Sequence, residues 1–261
     1  MSERRVLAPF GRRRAPVLQA RDVGAYRLLV VDDDGPAGRP GQFYMLAAAE
    51  RWGGGDRERP FLPRAFSFLR REGSRLAFLW EDVGPGTARL SELAPGDDAW
   101  LLGPLGIGFA APREGRRPVL CGGGIGIVPL AGWQDHLGGA ALLGFRDARH
   151  AAAAELLHAP RRLATDDGSE GHRGLVTDLL LAELESDPHA EVYACGPPPM
   201  LESVRALCAA RGVPAQLAME SGMACGFGAC FGCVVPTNEG YVRLCVDGPV
   251  VEAAALEAVT G

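Results

Sequence analysis

Lysine is missing from this chain: all 27 of its basic residues are arginine. Without a lysine amine there is no Schiff-base nucleophile and no Walker A phosphate loop, which sets aside pyridoxal enzymes and ordinary P-loop kinases. Beside so much Ala, Gly, Arg and Pro, the absence reads as a trait of coding composition. Long apolar runs are missing too. No stretch reaches the ~18 residues that span a bilayer, and the start, with Arg4, Arg5 and residues 12–14, lacks the apolar core of a secretion signal. The expectation is a cytoplasmic protein with no membrane contact. Its arginines are scattered among 32 acids for a net charge of −5, so there is no basic stripe and nucleic-acid binding is excluded. With 47% hydrophobic and 23% charged residues, the composition is that of a folded globular chain.

Short apolar runs at 26–31, 43–47, 76–80 and 99–102 are separated by Gly, Pro and Asp clusters. This rhythm predicts antiparallel strands closing a small barrel over residues 1–113. From Arg116 the texture changes. Apolar strands at 118–121, 140–145 and 191–195 alternate with helical segments at 131–137, 151–157, 175–184 and 200–211, the pattern of an α/β nucleotide-binding unit with a parallel sheet over 114–215. The remainder, 216–261, is too short to bury a core and calls for a metal centre to organise it. Residues 52–57, rich in glycine, read as a surface loop. The whole is an α+β multidomain chain.

Seven cysteines in such a setting argue against a disulfide framework. Four crowd the tail: Cys225, Cys230, Cys233 and Cys245. C-x4-C-x2-C with a distant fourth cysteine is the plant-type spacing for a 2Fe-2S cluster. Gly226, Gly228 and Gly232 would let the loop turn its amides inward by adopting positive φ. The alternative is a structural zinc site, which more often pairs two short Cys-Cys knuckles.

A second signal is Cys121 followed by Gly122, Gly123, Gly124 and Gly126 at a strand-to-helix junction. Glycines there admit a pyrophosphate to the backbone, although the run departs from G-x-G-x-x-G and also suits a tight packed turn. Cys195-Gly196-Pro197 ends a later strand at the same sheet edge, so the two ends together form a dinucleotide crevice. Cys195 itself reads equally as a space-filler. Arg146 and Arg149 follow the second strand where a 2′-phosphate would be read, but Asp147 between them disfavours it and points to NAD. In the barrel, Arg64 can neutralise a phosphate, Ser67 can bond a ring nitrogen, and Gly86 and Thr87 can present amides to a second phosphate. No general base is expected, and His136, His150, His158, His172 and His189 read as surface or loop residues.

In order, these segments resemble the ferredoxin reductase superfamily, whose R-x-Y-S motif matches Arg64-Ala65-Phe66-Ser67 with Phe66 in the tyrosine place. Residues 102–106, 144–146, 164–169, 174–178, 194–197, 223–226 and 243–250 narrow the resemblance to the electron-transfer subunits of class 1B dihydroorotate dehydrogenase. It extends from about Val17 to Val251. The resemblance implies FAD at Arg64, Ala65, Phe66, Ser67, Leu79, Trp80, Glu81, Gly86 and Thr87, the 2Fe-2S cluster on the four tail cysteines, and NAD as the final acceptor. It also implies an FMN-containing catalytic subunit as partner, in a heterotetramer of two of each, and a place in UMP synthesis. Ile107 and Gly222 depart from the residues common at those places. Two other functions share parts of the pattern: a flavin subunit of a bifurcating transhydrogenase or cytoplasmic hydrogenase, and a zinc-stabilised nucleotide-binding regulator.

Overall fold

Six strands form the first layer of the computed structural model, which describes residues 4–9, 11–53 and 60–257. They are β1 (Arg13–Val23), β2 (Tyr26–Asp32), β3 (Phe43–Ala48), β4 (Arg64–Glu72), β5 (Arg75–Trp80) and β6 (Asp98–Leu105). They close an antiparallel barrel in the order β1-β2-β5-β4-β3-β6. The four strands expected from apolar runs are all present. Sequence reasoning missed β1 as a strand because it holds no apolar run: buried Ala15 and Val17 alternate with exposed Arg14, Pro16 and Leu18, the period of a half-buried strand. Most of the glycine-rich loop expected at 52–57 lies outside the described residues. A short helix, α1 (Pro85–Ser91), follows β5 and buries Leu90 against the barrel.

Behind β2 the carboxylate of Asp33 is fully enclosed and receives both Arg13 and Arg71, the latter at 2.8 Å, with Gly35 N–H at 3.3 Å. Burial alone would raise this carboxyl; the hydrogen bond and charge of Arg13, then Gly35 and Arg71, outweigh it and hold it below the usual range. Asp33→Asn removes the one carboxylate charge shared by two half-buried guanidinium groups, which keep backbone carbonyl acceptors, and the expected cost is about 3 kcal/mol, read as an earlier urea midpoint for barrel unfolding. Because the folded carboxyl is depressed, this contribution is present at neutral pH. It fades only as pH falls below the ordinary carboxylate range of about 4 and through the lowered folded value. An unchanged midpoint at pH 7 would remove the argument.

The second layer is a seven-stranded sheet in the order β10-β9-β8-β7-β11-β12-β15. Its members are β7 (Arg117–Gly123), β8 (Ala140–Phe145), β9 (Arg161–Thr165), β10 (His172–Arg173), β11 (Ala190–Cys195), β12 (Ala215–Ala218) and β15 (Val250–Glu252). All neighbours pair in parallel except β12 and β15. Helix α2 (Ile127–Leu137) covers one face together with barrel residues Tyr26, Leu28, Leu69 and Leu79. The helices α4 (Val176–Ser186) and α5 (Pro198–Arg211) cover the other. Where a helix was expected at 151–157, α3 (Ala148–Ala151) runs instead into a 3-10 turn at Ala152–Leu156. The tail adds a hairpin, β13 (Val234–Thr237) and β14 (Gly240–Arg243), and returns β15 to the sheet.

The chain leaves β7 for β8 on one side and later places β11 on the other. That is a topological switch point, and in open α/β sheets ligands enter beside the carboxyl ends of the strands there.

Candidate functional site

A crevice of ≈ 590 Å³ opens at that switch point. Gly123, Gly124, Gly126, Gly196 and Pro197, all expected there, line it. Two further expected residues stand behind the wall instead. Gly122 packs under Ile127 and Leu130, where a Cβ would meet side-chain carbons at 3.1 Å, and Cys195 is buried at 2% exposure.

A second cavity of ≈ 280 Å³ lies between barrel and sheet and is lined by Ala65, Phe66, Ser67, Leu79, Trp80, Glu81 and Thr87, again as expected. Phe66 lies 5.4 Å from the Trp80 ring, and Trp80 Nε1 is fixed by Ser91 Oγ at 2.9 Å. These are apolar walls suited to a flat ring system. Arg64 is not on this wall. It lies against Gly86, where a Cβ would stand 2.3 Å from Arg64 Nε, and one of its nitrogens donates to Leu62 O. The two expected phosphate contacts are thus brought together although 22 positions separate them in the chain. Thr87 Oγ1 is occupied within its own turn, accepting from Val83 N and Gly84 N.

The crevice and this slot share Glu81, Ile125 and Glu220. Glu220 follows β12 at the carboxyl edge and reaches the water of both cavities, yet the chain packed around it raises its carboxyl by desolvation. Sequence reasoning missed Glu220; reading 215–218 as a strand would have placed it there.

The tail forms a cradle. Cys233 and Cys245 are buried with Phe43, Met45, Leu105 and Leu244, and Met219, Met223 and Ala65 pack on the same group. Among the described residues no three His, Cys, Asp or Glu side chains gather about one ion-sized point. The thiols approach in two pairs, Cys225 with Cys230 and Cys233 with Cys245. Two pairs suit a cluster of two irons, each taking two thiolates, better than a single ion. Amides turn toward the sulfurs: Gly232 N to Cys230 Sγ and Cys245 N to Cys233 Sγ, both 3.5 Å. Burial pulls the Cys225 thiol up, but amides of Phe227, Cys230 and Ala229 and the Cys230 side chain bring it down to about 6. Burial, the Cys233 thiol and its charge push Cys245 up to about 12, so its ionisation calls for a cation. Gly226 and Gly228 adopt positive φ as expected, but Gly232 does not. Phe231 takes the left-handed turn in its place at φ 57.

One histidine departs from expectation. His150 is buried at 8% exposure and lines the crevice, whereas His172 is exposed beside Asp178. Asp147 does not face a 2′-phosphate; it caps α3, accepting from His150 N at 3.0 Å and meeting His150 Nδ1 at 2.7 Å. Asp166, which lines the crevice together with Glu81 and Glu220, is an acid that sequence reasoning did not single out.

Residues 220–257 match the iron-sulfur cluster binding domain of dihydroorotate dehydrogenase B, and residues 143–206 match an oxidoreductase NAD-binding domain. Among solved structures, the chain is similar to a NADH-dependent reduced ferredoxin-NADP oxidoreductase, with TM-score 0.76 at 21% identity over 94% of this chain and 90% of that one. A cytochrome P450 reductase of Amycolatopsis gives 0.60 at 26% identity over 79% and 68%. The first likeness carries the fold alone. Curated relatives say more. The dihydroorotate dehydrogenase B (NAD(+)) electron transfer subunit of Clostridium acetobutylicum is 37% identical over 81% of this chain and 83% of its own, and that of Bacillus caldolyticus 39% over 82% and 85%. With a cradle for two irons, a flat apolar slot and a dinucleotide crevice already joined in one fold, this similarity establishes that the chain belongs to the family of dihydroorotate dehydrogenase B (NAD(+)) electron transfer subunits.

Proposed function

We infer that this chain carries electrons from a dihydroorotate-oxidising catalytic subunit to NAD⁺, in the synthesis of pyrimidines. The observation that carries the reading is continuity. Phe43, Ala65, Met219 and Met223 belong both to the wall of the flat slot and to the packing around the cysteines, and Glu81, Ile125 and Glu220 belong both to that slot and to the crevice. Three sites in that order suit a relay from a one-electron centre to a two-electron acceptor. FAD supplies the conversion between them, since a flavin can exchange electrons singly or in pairs.

In this reading Cys225, Cys230, Cys233 and Cys245 hold the 2Fe-2S cluster. Arg64 and Gly86 take the FAD phosphates while Ala65, Phe66, Ser67, Leu79, Trp80, Glu81 and Thr87 wall its ring system. Gly123, Gly124, Gly126, Gly196 and Pro197 receive NAD, with Gly122 and Cys195 packed behind them. Functionally the chain divides at 1–113, 114–215 and 216–261, with β12 and β15 stitching the last two units into one sheet. The partner carries FMN, two copies of each subunit assemble, and the setting is cytoplasmic. Support for that setting comes from the seven cysteines: none is in a disulfide, which suits a reducing compartment. No helix among the described residues is long and apolar enough to cross a membrane.

The partner's seat is the face over the cradle. Phe227, Phe231 and Tyr241 are 60%, 63% and 79% exposed there, Arg243 lies 5.5 Å from the Phe231 ring centre, and Cys230 itself is exposed. Aromatic residues and arginine on one surface are typical anchors of a protein interface.

Chain isolated without oxygen should contain two irons, two sulfides and one FAD, and added catalytic subunit should confer dihydroorotate-dependent NAD⁺ reduction. A colourless, iron-free product from such a preparation would defeat the reading. A bifurcating role would show instead as ferredoxin-coupled transfer between NAD and NADP.

A further inference from the structure

The crevice is lined by acid. Glu81, Asp166 and Glu220 border it, and Arg146 is the one guanidinium among its described lining residues. A nicotinamide dinucleotide brings two negative charges on its pyrophosphate into these surroundings. The glycine turn ahead of α2 offers only the partial positive charge of a helix start, roughly half an elementary charge.

We propose that Arg146 is the pyrophosphate-binding residue of this crevice, held in readiness from across the barrel boundary by Glu81 and His150. The inference rests on the crevice being the dinucleotide site. Arg146 leaves the carboxyl end of β8, next to the strand that feeds the glycine turn. One guanidinium nitrogen, NH2, reaches Glu81 Oε1 at 3.2 Å and His150 Nε2 at 3.0 Å. The 2.7 Å contact of His150 Nδ1 with Asp147 sets the ring so that Nε2 faces both Arg146 NH2 at 3.0 Å and Glu81 Oε1 at 3.4 Å. The Tyr26 ring packs edge-on to His150, 5.6 Å away, and keeps the imidazole in this orientation. Asp147, spent on His150 and on the cap of α3, does not compete for the guanidinium.

Anchoring therefore uses one nitrogen. Among the described residues the other guanidinium nitrogens of Arg146 meet no acceptor, which leaves a fork of N–H donors for a phosphate oxygen pair, the geometry arginine supplies best. Glu81 comes from the barrel and Arg146 from the sheet, so the clasp also fixes the mouth of the crevice relative to the slot beside it.

The test uses the full chain with its cofactors. Arg146→Gln should weaken NADH and ADP-ribose, measured by equilibrium dialysis, by about 10- to 100-fold, the effect of one charge-assisted contact. It should leave adenosine binding unchanged and flatten the fall of NADH affinity with added salt. Arg146→Lys should recover part of the loss. Flavin absorbance and the reduced iron signal per chain should match the parent. Unchanged ADP-ribose affinity, an equal loss for adenosine, or a loss confined to NADPH would overturn the assignment, the last by making Arg146 a reader of a 2′-phosphate. Ser203→Trp separates this from the crevice reading itself. Ser203 is exposed on the crevice wall, and an indole there should obstruct NADH whatever Arg146 does. If this variant also binds NADH normally, the dinucleotide lies elsewhere.

Discussion

Cys230→Ala is expected to abolish dihydroorotate-coupled reduction of NAD⁺ while NADH still reduces the flavin at close to the parent rate. The asymmetry follows from where the four thiols sit. Cys233 and Cys245 are buried at 2% and 1% exposure among Phe43, Met45, Leu105 and Leu244, and Phe43 also lines the flavin slot. Cys230 is exposed and outside that packed group. Its removal takes away a ligand without opening a cavity next to the slot. Loss of an outer partner of a metal ligand already costs 10- to 100-fold in affinity or activity, so loss of a ligand itself should lower coupled turnover by at least about 100-fold, together with the paramagnetic iron signal. Flavin content and the rate of flavin bleaching by NADH should stay within about threefold, a shift of under 1 kcal/mol in the barrier. Cys245→Ala is the contrast: it empties a core position, and a falling flavin content should accompany the lost iron. If Cys230→Ala also lost its flavin, the cradle and slot would be one folding unit rather than two separable ones.

The cradle was the most legible part of the molecule because its chemistry is local. Thiolate spacing over nine residues and the glycines between them announce a wrapped metal centre before any contact is known. The conformational detail was less legible. Gly232 and Phe231 exchange roles: the left-handed turn falls on Phe231, whose exposed ring is steadied by Arg243. A single sequence does not say which of two neighbours bears the strain. Arg64 and Gly86 were readable only as candidate phosphate contacts, each with a bland alternative, and it is the turn into α1 that sets Gly86 against Arg64. His150, Asp166 and Glu220 were not. Their roles depend on which strand ends lie side by side, and β9 and β12 were hidden: β9 opens with two arginines, and β12 is only four residues long. Periodicity finds apolar faces well, whereas residues at strand ends stand outside the periodic pattern.

The glycines after β7 carry the second large expectation. In sequence they suggest a backbone opened toward a pyrophosphate, and the structure adds a second duty for Gly126, which also lines the crevice. Its φ of −62° is ordinary for any residue, so conformation does not require glycine. Space does. A Cβ at this position would stand 2.3 Å from Cys195 O and 2.6 Å from Gly196 N, and both are backbone atoms of the neighbouring strand end that cannot rotate aside. Gly126→Ala must therefore push the start of α2 away from the end of β11, widening the floor of the crevice between its two glycine-rich edges. Overpacking of this kind costs about 1–3 kcal/mol in stability, and a displacement near 1 Å in a binding geometry can cost about 100-fold in rate. The expected result is a loss of roughly 100-fold in flavin reduction at limiting NADH, with iron and flavin content retained because neither the slot's aromatic wall nor the cradle touches Gly126. Gly124→Ala supplies the opposite case. Gly124 has φ +53 and only the Tyr26 hydroxyl near it, at 3.8 Å, so alanine there meets about 1–2 kcal/mol of left-handed strain and no collision. NADH kinetics should be disturbed far less than by Gly126→Ala. Equal effects at the two positions would mean that flexibility of the loop, rather than the contact between two strand ends, shapes the crevice.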